Sequence, residues 1–130
     1  MIHLRVFQYN PTSIYSVYKF TNFLKEDYLQ LLTEKTLSLT EKDHMNRATN
    51  VKANMTDYRE LLSHPEYKDF FELAAQQFLM IVALKTPHVC DKITVRYEEA
   101  WGMKHNKGDF TDLHWHYATG NTWSGVFCLK

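Results

Sequence analysis

Glycine and proline are scarce in this chain: four and three among 130 residues. That scarcity excludes a collagen-like or low-complexity sequence and argues against a disordered linker. Cysteine is nearly missing too. Cys90 and Cys128 are the only two, so there is neither a disulfide framework nor a Cys-x-x-Cys zinc or redox motif, and reduced thiols in a cytoplasm are the expectation. No sign of charge dominates. Fifteen basic and fifteen acidic residues cancel, and neither forms a run, so no overall field draws the chain to nucleic acid or to an anionic membrane. Long apolar runs are absent as well. The longest, Phe78 to Leu84, is far short of a membrane span, and the N-terminal IHLRVFQY carries Arg5 and is too short for a targeting core.

What is present is apolar and aromatic. Hydrophobic residues make up 45% of the chain, with eight Phe, eight Tyr and three Trp, enough to build the core of one globular domain.

Ile2, Leu4 and Val6 alternate, and Ile14, Ser16 and Tyr18 do so again after an Asn10-Pro11 turn, which predicts two short strands. Thr21 or Asn22 then caps a helix expected over about 22–37. Glu26 and Asp27 lie at its positive end, and Leu24, Tyr28, Leu31 and Leu32 recur at helical spacing. Residues 38–55 are polar without a clear period and read as a long loop. A second helical region is expected from Thr56, as the cap of DYRELL. Pro65 suits a first helical position, and Phe70, Phe71, Ala74, Ala75, Phe78, Leu79 and Val82 form one broad buried face. Thr86-Pro87 ends it. From there β-branched and aromatic residues take over. Lys92 to Trp101 and Trp123 to Leu129 both read as strands, and the second leaves an open edge. No internal repeat is visible.

Asp112-Leu113-His114-Trp115-His116 is the sharpest feature. Alternate side chains of a strand share a face, so His114, His116 and Asp112 project together. Two neutral imidazoles on one face suit a first-row transition metal, and two histidines with one carboxylate are the ligand set of non-heme iron oxygenases. The plain reading is a surface strand that happens to carry two histidines, and spacing alone leaves both open. Tyr97, Glu98, Glu99 and Trp101 are either pocket-lining residues or the ordinary alternation of a half-buried strand. Asn121 and Ser124 are either site residues or turn formers. Trp115 and Trp123 read as packing residues. Cys128 has no evident base beside it, so it is not a nucleophile.

From Trp101 to Leu129 the string WGMKHNKGDFTDLHWHYATGNTWSGVFCL resembles the signature of a group of 2-oxoglutarate- and iron(II)-dependent oxygenases common in phage and marine bacteria. Their pattern is an early Trp, a Gly-Asp before the site, His-x-His, a short turn and Ser-Gly-Val with aromatic residues and Leu. Trp101, Gly108-Asp109, His114-x-His116, Asn121 and Ser124-Gly125-Val126-Phe127 stand in that order. The upstream TNVKANMTDY, Thr49 to Tyr58, resembles the N-terminal region of the same proteins.

The resemblance implies an α+β protein in which N-terminal helices, about 1–88, brace a double-stranded β-helix (jelly-roll) that begins at about 89–130. One domain is implied, incomplete in this chain. It also implies iron(II), 2-oxoglutarate as co-substrate and hydroxylation of a C–H bond. His114 would be the first iron ligand. His116 would be a ligand or a group supporting one, and Asp112 an alternative carboxylate. Tyr97, Asn121 and Ser124 would face the co-substrate. The family's distal histidine and the basic residue that pairs with the far carboxylate of 2-oxoglutarate have no counterpart downstream of His116. A phage-encoded member would act in the host cytoplasm. The substrate, a small molecule or a protein, is not legible. Two rival expectations stand beside this one. The first is a non-catalytic jelly-roll module forming a homodimer through the edge strand 122–129; the second is a cupin-like metal protein completed by His105 and Asp112.

Overall fold

The computed structural model describes residues 3–8, 16–43, 49–112 and 123–129. The chain divides into two compact units, Met1–Leu31 and Leu32–Lys130.

The first unit holds the two strands expected from alternation. β1 (His3–Gln8) pairs antiparallel with β2 (Ser16–Thr21), His3 opposite Thr21 and Gln8 opposite Ser16. Helix α1 (Glu26–Thr40) follows and carries the chain into the second unit. It starts later and ends later than the spacing of its leucines predicts. Asn22 adopts a left-handed φ of 54°, so it lies in the turn rather than at the cap. Glu26 and Asp27 occupy the first helical turn instead, where the helix dipole favours acidic side chains.

In the second unit, the buried positions of α1 are Leu32, Thr36 and Thr40. Two of the three are threonines, which a helix core tolerates when the hydroxyl finds a backbone acceptor. Thr36 Oγ1 donates to Leu32 O at 2.7 Å, and Thr40 Oγ1 to Thr36 O at 2.9 Å. The Thr36 hydroxyl also shares a 2.7 Å hydrogen bond with Tyr67 Oη. Beyond the helix, Thr40 O accepts from Asp43 N and Asn54 Nδ2, which satisfies a carbonyl that helix ends leave open.

Residues expected to be loop contain two strands, β3 (Val51–Lys52) and β4 (Asn54–Met55). Val51, Ala53 and Met55 are buried in alternation and form the core cluster, with Trp101 and Met103 packed on it. Thr56 is not a helix cap. Its hydroxyl donates to Asp57 O and accepts from Gly102 N, and the helical turn begins only at Glu60. Two 3-10 turns, Glu60–Ser63 and Pro65–Tyr67, lead into α2 (Lys68–Lys85). As expected, Pro65 opens a turn and Thr86-Pro87 stops the long helix; Thr86 N donates to Val82 O at 2.7 Å.

After a 3-10 turn at Pro87–Lys92, no strand is assigned until β5 (Met103–Lys104), followed by β6 (Phe110–Thr111). The strand expected over Lys92 to Trp101 is therefore not formed: Lys92 closes the 3-10 turn, residues 93–102 are in neither helix nor strand, and the Tyr97 hydroxyl is tied to α2. β3 pairs with β6 and β4 with β5, both antiparallel. Residues 123–129 are in neither helix nor strand. Trp123 stacks edge-on against Phe78 at 4.8 Å and Phe127 lies 5.2 Å from Phe70. Eight helical residues cover about 12 Å, and four residues bridge that distance only when nearly extended. So this segment runs antiparallel along α2. The described residues thus mix helices with short antiparallel strand pairs, and no jelly-roll sandwich is present among them. Among them also, no helix is long and apolar enough to cross a membrane.

Candidate functional site

Two distant stretches of sequence, Thr49 to Tyr58 and Ala100 to Asp112, are hydrogen-bonded to each other along most of their length. Leu61 N donates to Ala100 O and Ala100 N to Tyr58 O. Thr56 and Gly102 then bond reciprocally, Thr56 N to Gly102 O at 3.1 Å and Gly102 N to Thr56 Oγ1 at 3.0 Å. Met55 faces Met103 and Asn54 faces Lys104. Further along, Lys52 faces Phe110 and Val51 faces Thr111, and Asp112 N donates to Asn50 O at 2.8 Å. The backbone therefore enters the histidine-bearing segment from a paired, extended state.

Close approach makes this ladder possible. A β-carbon at Gly102 would stand 2.8 Å from the Thr36 γ-methyl, with the methyls of Thr40 and Thr56 at 3.6 and 3.7 Å. Only glycine fits against that threonine surface. Trp101, next to it, packs edge-on against Tyr58 at 5.5 Å, and its buried indole Nε1 has no hydrogen-bond partner among the described residues.

Between β5 and β6 the chain makes a tight turn. Asp109 Oδ2 accepts from Asn106 N at 2.8 Å and from Asn106 Nδ2 at 3.1 Å, while Asp109 N donates to Asn106 O at 3.0 Å. Gly108 takes φ of 90°, a conformation side chains resist. His105 Nε2 lies 3.3 Å from Thr111 Oγ1. Thr111 closes β6, and Asp112 follows it with its backbone still bonded to Asn50 O.

Of the residues singled out from sequence, Asp112 is exposed at the end of the ladder and Ser124 is exposed beside α2. His114, His116 and Asn121 lie outside the described residues. Tyr97 is half-buried. Its hydroxyl donates to Phe71 O at 2.7 Å, its ring lies 4.8 Å from that of Phe71, and burial raises its phenol above the usual value of 10.0. So the Tyr97 proton is held inside the chain. Glu98 pairs with Arg96, and Glu99 is exposed. No group of three or more His, Cys, Asp or Glu side chains gathers into a metal-sized cluster among the described residues.

An open cleft of about 510 Å³ lies where the two 3-10 turns meet α2, bounded by Leu62, His64, Lys68, Phe71, Val95 and Tyr97. No sequence pattern marks it, since its walls come from three separate segments. Its polar groups bond within the chain: His64 Nε2 to Glu60 Oε1 at 3.0 Å and Lys68 to Glu72 at 3.7 Å.

No protein-family model, no curated protein and no solved structure matches this chain. The functional reading therefore rests on the residues themselves.

Proposed function

We propose that this chain is part of an iron(II)- and 2-oxoglutarate-dependent oxygenase that hydroxylates a C–H bond, with His114 as its first iron ligand. One observation carries the reading. The two stretches that resemble such oxygenases, Thr49–Tyr58 and the string beginning at Trp101, are joined to each other by the ladder that ends at Asp112. Stretches far apart in sequence that carry one signature and also pair in space behave as parts of one device.

The donor set fits iron as far as it goes. Imidazole suits iron(II), and two histidines with a carboxylate leave coordination positions for co-substrate and oxygen. His114, His116 and Asp112 are the residues here that would hold the metal. Bound iron with 2-oxoglutarate would supply the oxidising chemistry; the ladder holds the chain in place as far as Asp112. The distal histidine and the basic co-substrate partner have no counterpart after His116 in these 130 residues.

The test uses the protein as its native gene produces it. Purified under argon and supplied with iron(II), 2-oxoglutarate and oxygen, it should release succinate, and His114→Ala should abolish that release. Absence of iron-dependent succinate formation overturns the proposal. Undiminished turnover in His114→Ala overturns the ligand assignment.

A further inference from the structure

The two halves of the ladder are out of step. Asn54 pairs with Lys104 but Lys52 pairs with Phe110, so the five residues His105 to Asp109 stand opposite the single residue Ala53. Something must fix that offset. In most strands burial does so, because a slip of one residue would carry the apolar set to the wrong face. β6 has no such constraint. Phe110 is 53% exposed, and Thr111 and Asp112 are exposed too. Among the described residues of this strand, none is buried deeply enough for apolar burial to select its register.

The turn can. It is closed by two hydrogen bonds onto one carboxylate oxygen and by a third from the Asp109 backbone, and Gly108 supplies its left-handed residue. Turn type and length fix register in hairpins, and this turn is placed to do the same within a longer ladder. We infer that Asp109 is a positioning residue: its clamp on Asn106 sets the phase of β6 against β3, and hence the face on which Asp112 lies. Only the metal readout of the test rests on the oxygenase reading, in which His114 and His116, outside the described residues, are ligands.

The proposal is tested on the full chain by cross-strand nuclear Overhauser contacts, with cobalt(II) absorption as a second readout. Asp109→Ala should lose the contacts between Val51 and Thr111 while keeping those between Met55 and Met103. Asp109→Asn, which retains an acceptor for Asn106 N, should keep both. Cobalt(II) should bind Asp109→Ala about tenfold more weakly than the unsubstituted chain, as losing a support behind metal ligands generally does. Persistence of the Val51–Thr111 contacts in Asp109→Ala overturns the inference. Should that variant fail to fold, Asn106→Ala, which removes the side-chain half of the clamp on Asp109 Oδ2, must weaken the Val51–Thr111 contacts selectively, and unaltered contacts there also overturn it. If the contacts change as expected but the unsubstituted chain binds no cobalt(II), the register role stands and the oxygenase reading falls.

Discussion

Gly102 and Thr36 meet so closely that a β-carbon on the glycine would lie 2.8 Å from the threonine methyl. Real side chains do not approach that far, so Gly102→Ala must push α1 and the ladder apart. Overpacking of this kind costs about 1–3 kcal/mol. Thr36→Ser removes the opposing methyl and keeps the hydroxyl that bonds Leu32 O and Tyr67. The double variant Gly102→Ala/Thr36→Ser should therefore recover much of the loss, as read from urea midpoints. A double variant no more stable than Gly102→Ala alone would show that the contact is not the cause.

Tyr97 gives a prediction for alkaline pH. Burial raises its phenol above 10.0, and its proton is donated to Phe71 O. A group whose pKa rises on folding contributes stability in full below its unfolded value and loses it as pH climbs through the folded one. Tyr97→Phe should cost about 0.5–1.5 kcal/mol at neutral pH, the typical worth of one hydrogen bond. Above pH 10 the gap between the two proteins should narrow. Denaturant midpoints across that range measure it, and a constant gap would mean that the phenol does not titrate with folding.

Acid pH should report on Glu66. Its carboxyl is held below the usual 4.5, first by the hydrogen bond from Lys35 and then by its own backbone. Lys35 Nζ lies 2.9 Å from Glu66 Oε1 and ties α1 to the 3-10 turn before α2. For a lowered carboxyl the sign is opposite to that for Tyr97: the contribution is complete above 4.5 and disappears as pH falls through the lower folded value. Glu66→Gln should therefore lose less stability between pH 5 and 3 than the unsubstituted protein. Parallel acid limbs in thermal melts would show that the pair contributes nothing to folding.

The elements that sequence made legible are those whose pattern is long or punctuated. β1, β2 and α2 follow from plain alternation, from the three-and-four spacing of Phe70 to Val82, and from prolines at both ends of the helix. β3 and β4 were hidden because each is two residues long, and their inward set, Val51, Ala53 and Met55, is broken by an alanine that registers on no hydrophobic pattern. Lys92 to Trp101 carries a strand's composition without being one, and its Tyr97 hydroxyl bonds the α2 carbonyl of Phe71. α1 runs past Leu37 to Thr40 although threonines are poor helix formers; their hydroxyls, buried on its inner face, are satisfied by backbone carbonyls one turn earlier. For the site, His114, His116 and Asn121 lie outside the described residues, and the turn clamped by Asp109 depends on a pairing offset that only three dimensions reveal.

The ladder between Thr49–Tyr58 and Ala100–Asp112 also sets an order of events. Everything from Arg59 to Glu99, including all of α2, lies between the two stretches, so their pairing must close a long loop before any contact rewards it. Local elements such as α2 form fast and non-local pairings slowly. During synthesis, Val51, Ala53 and Met55 are made well before Trp101 and Met103 exist to cover them. Until the ribosome has passed Asp112, the core of this unit has one wall, and a chain stalled before that point would present its most apolar strand face to whatever it meets.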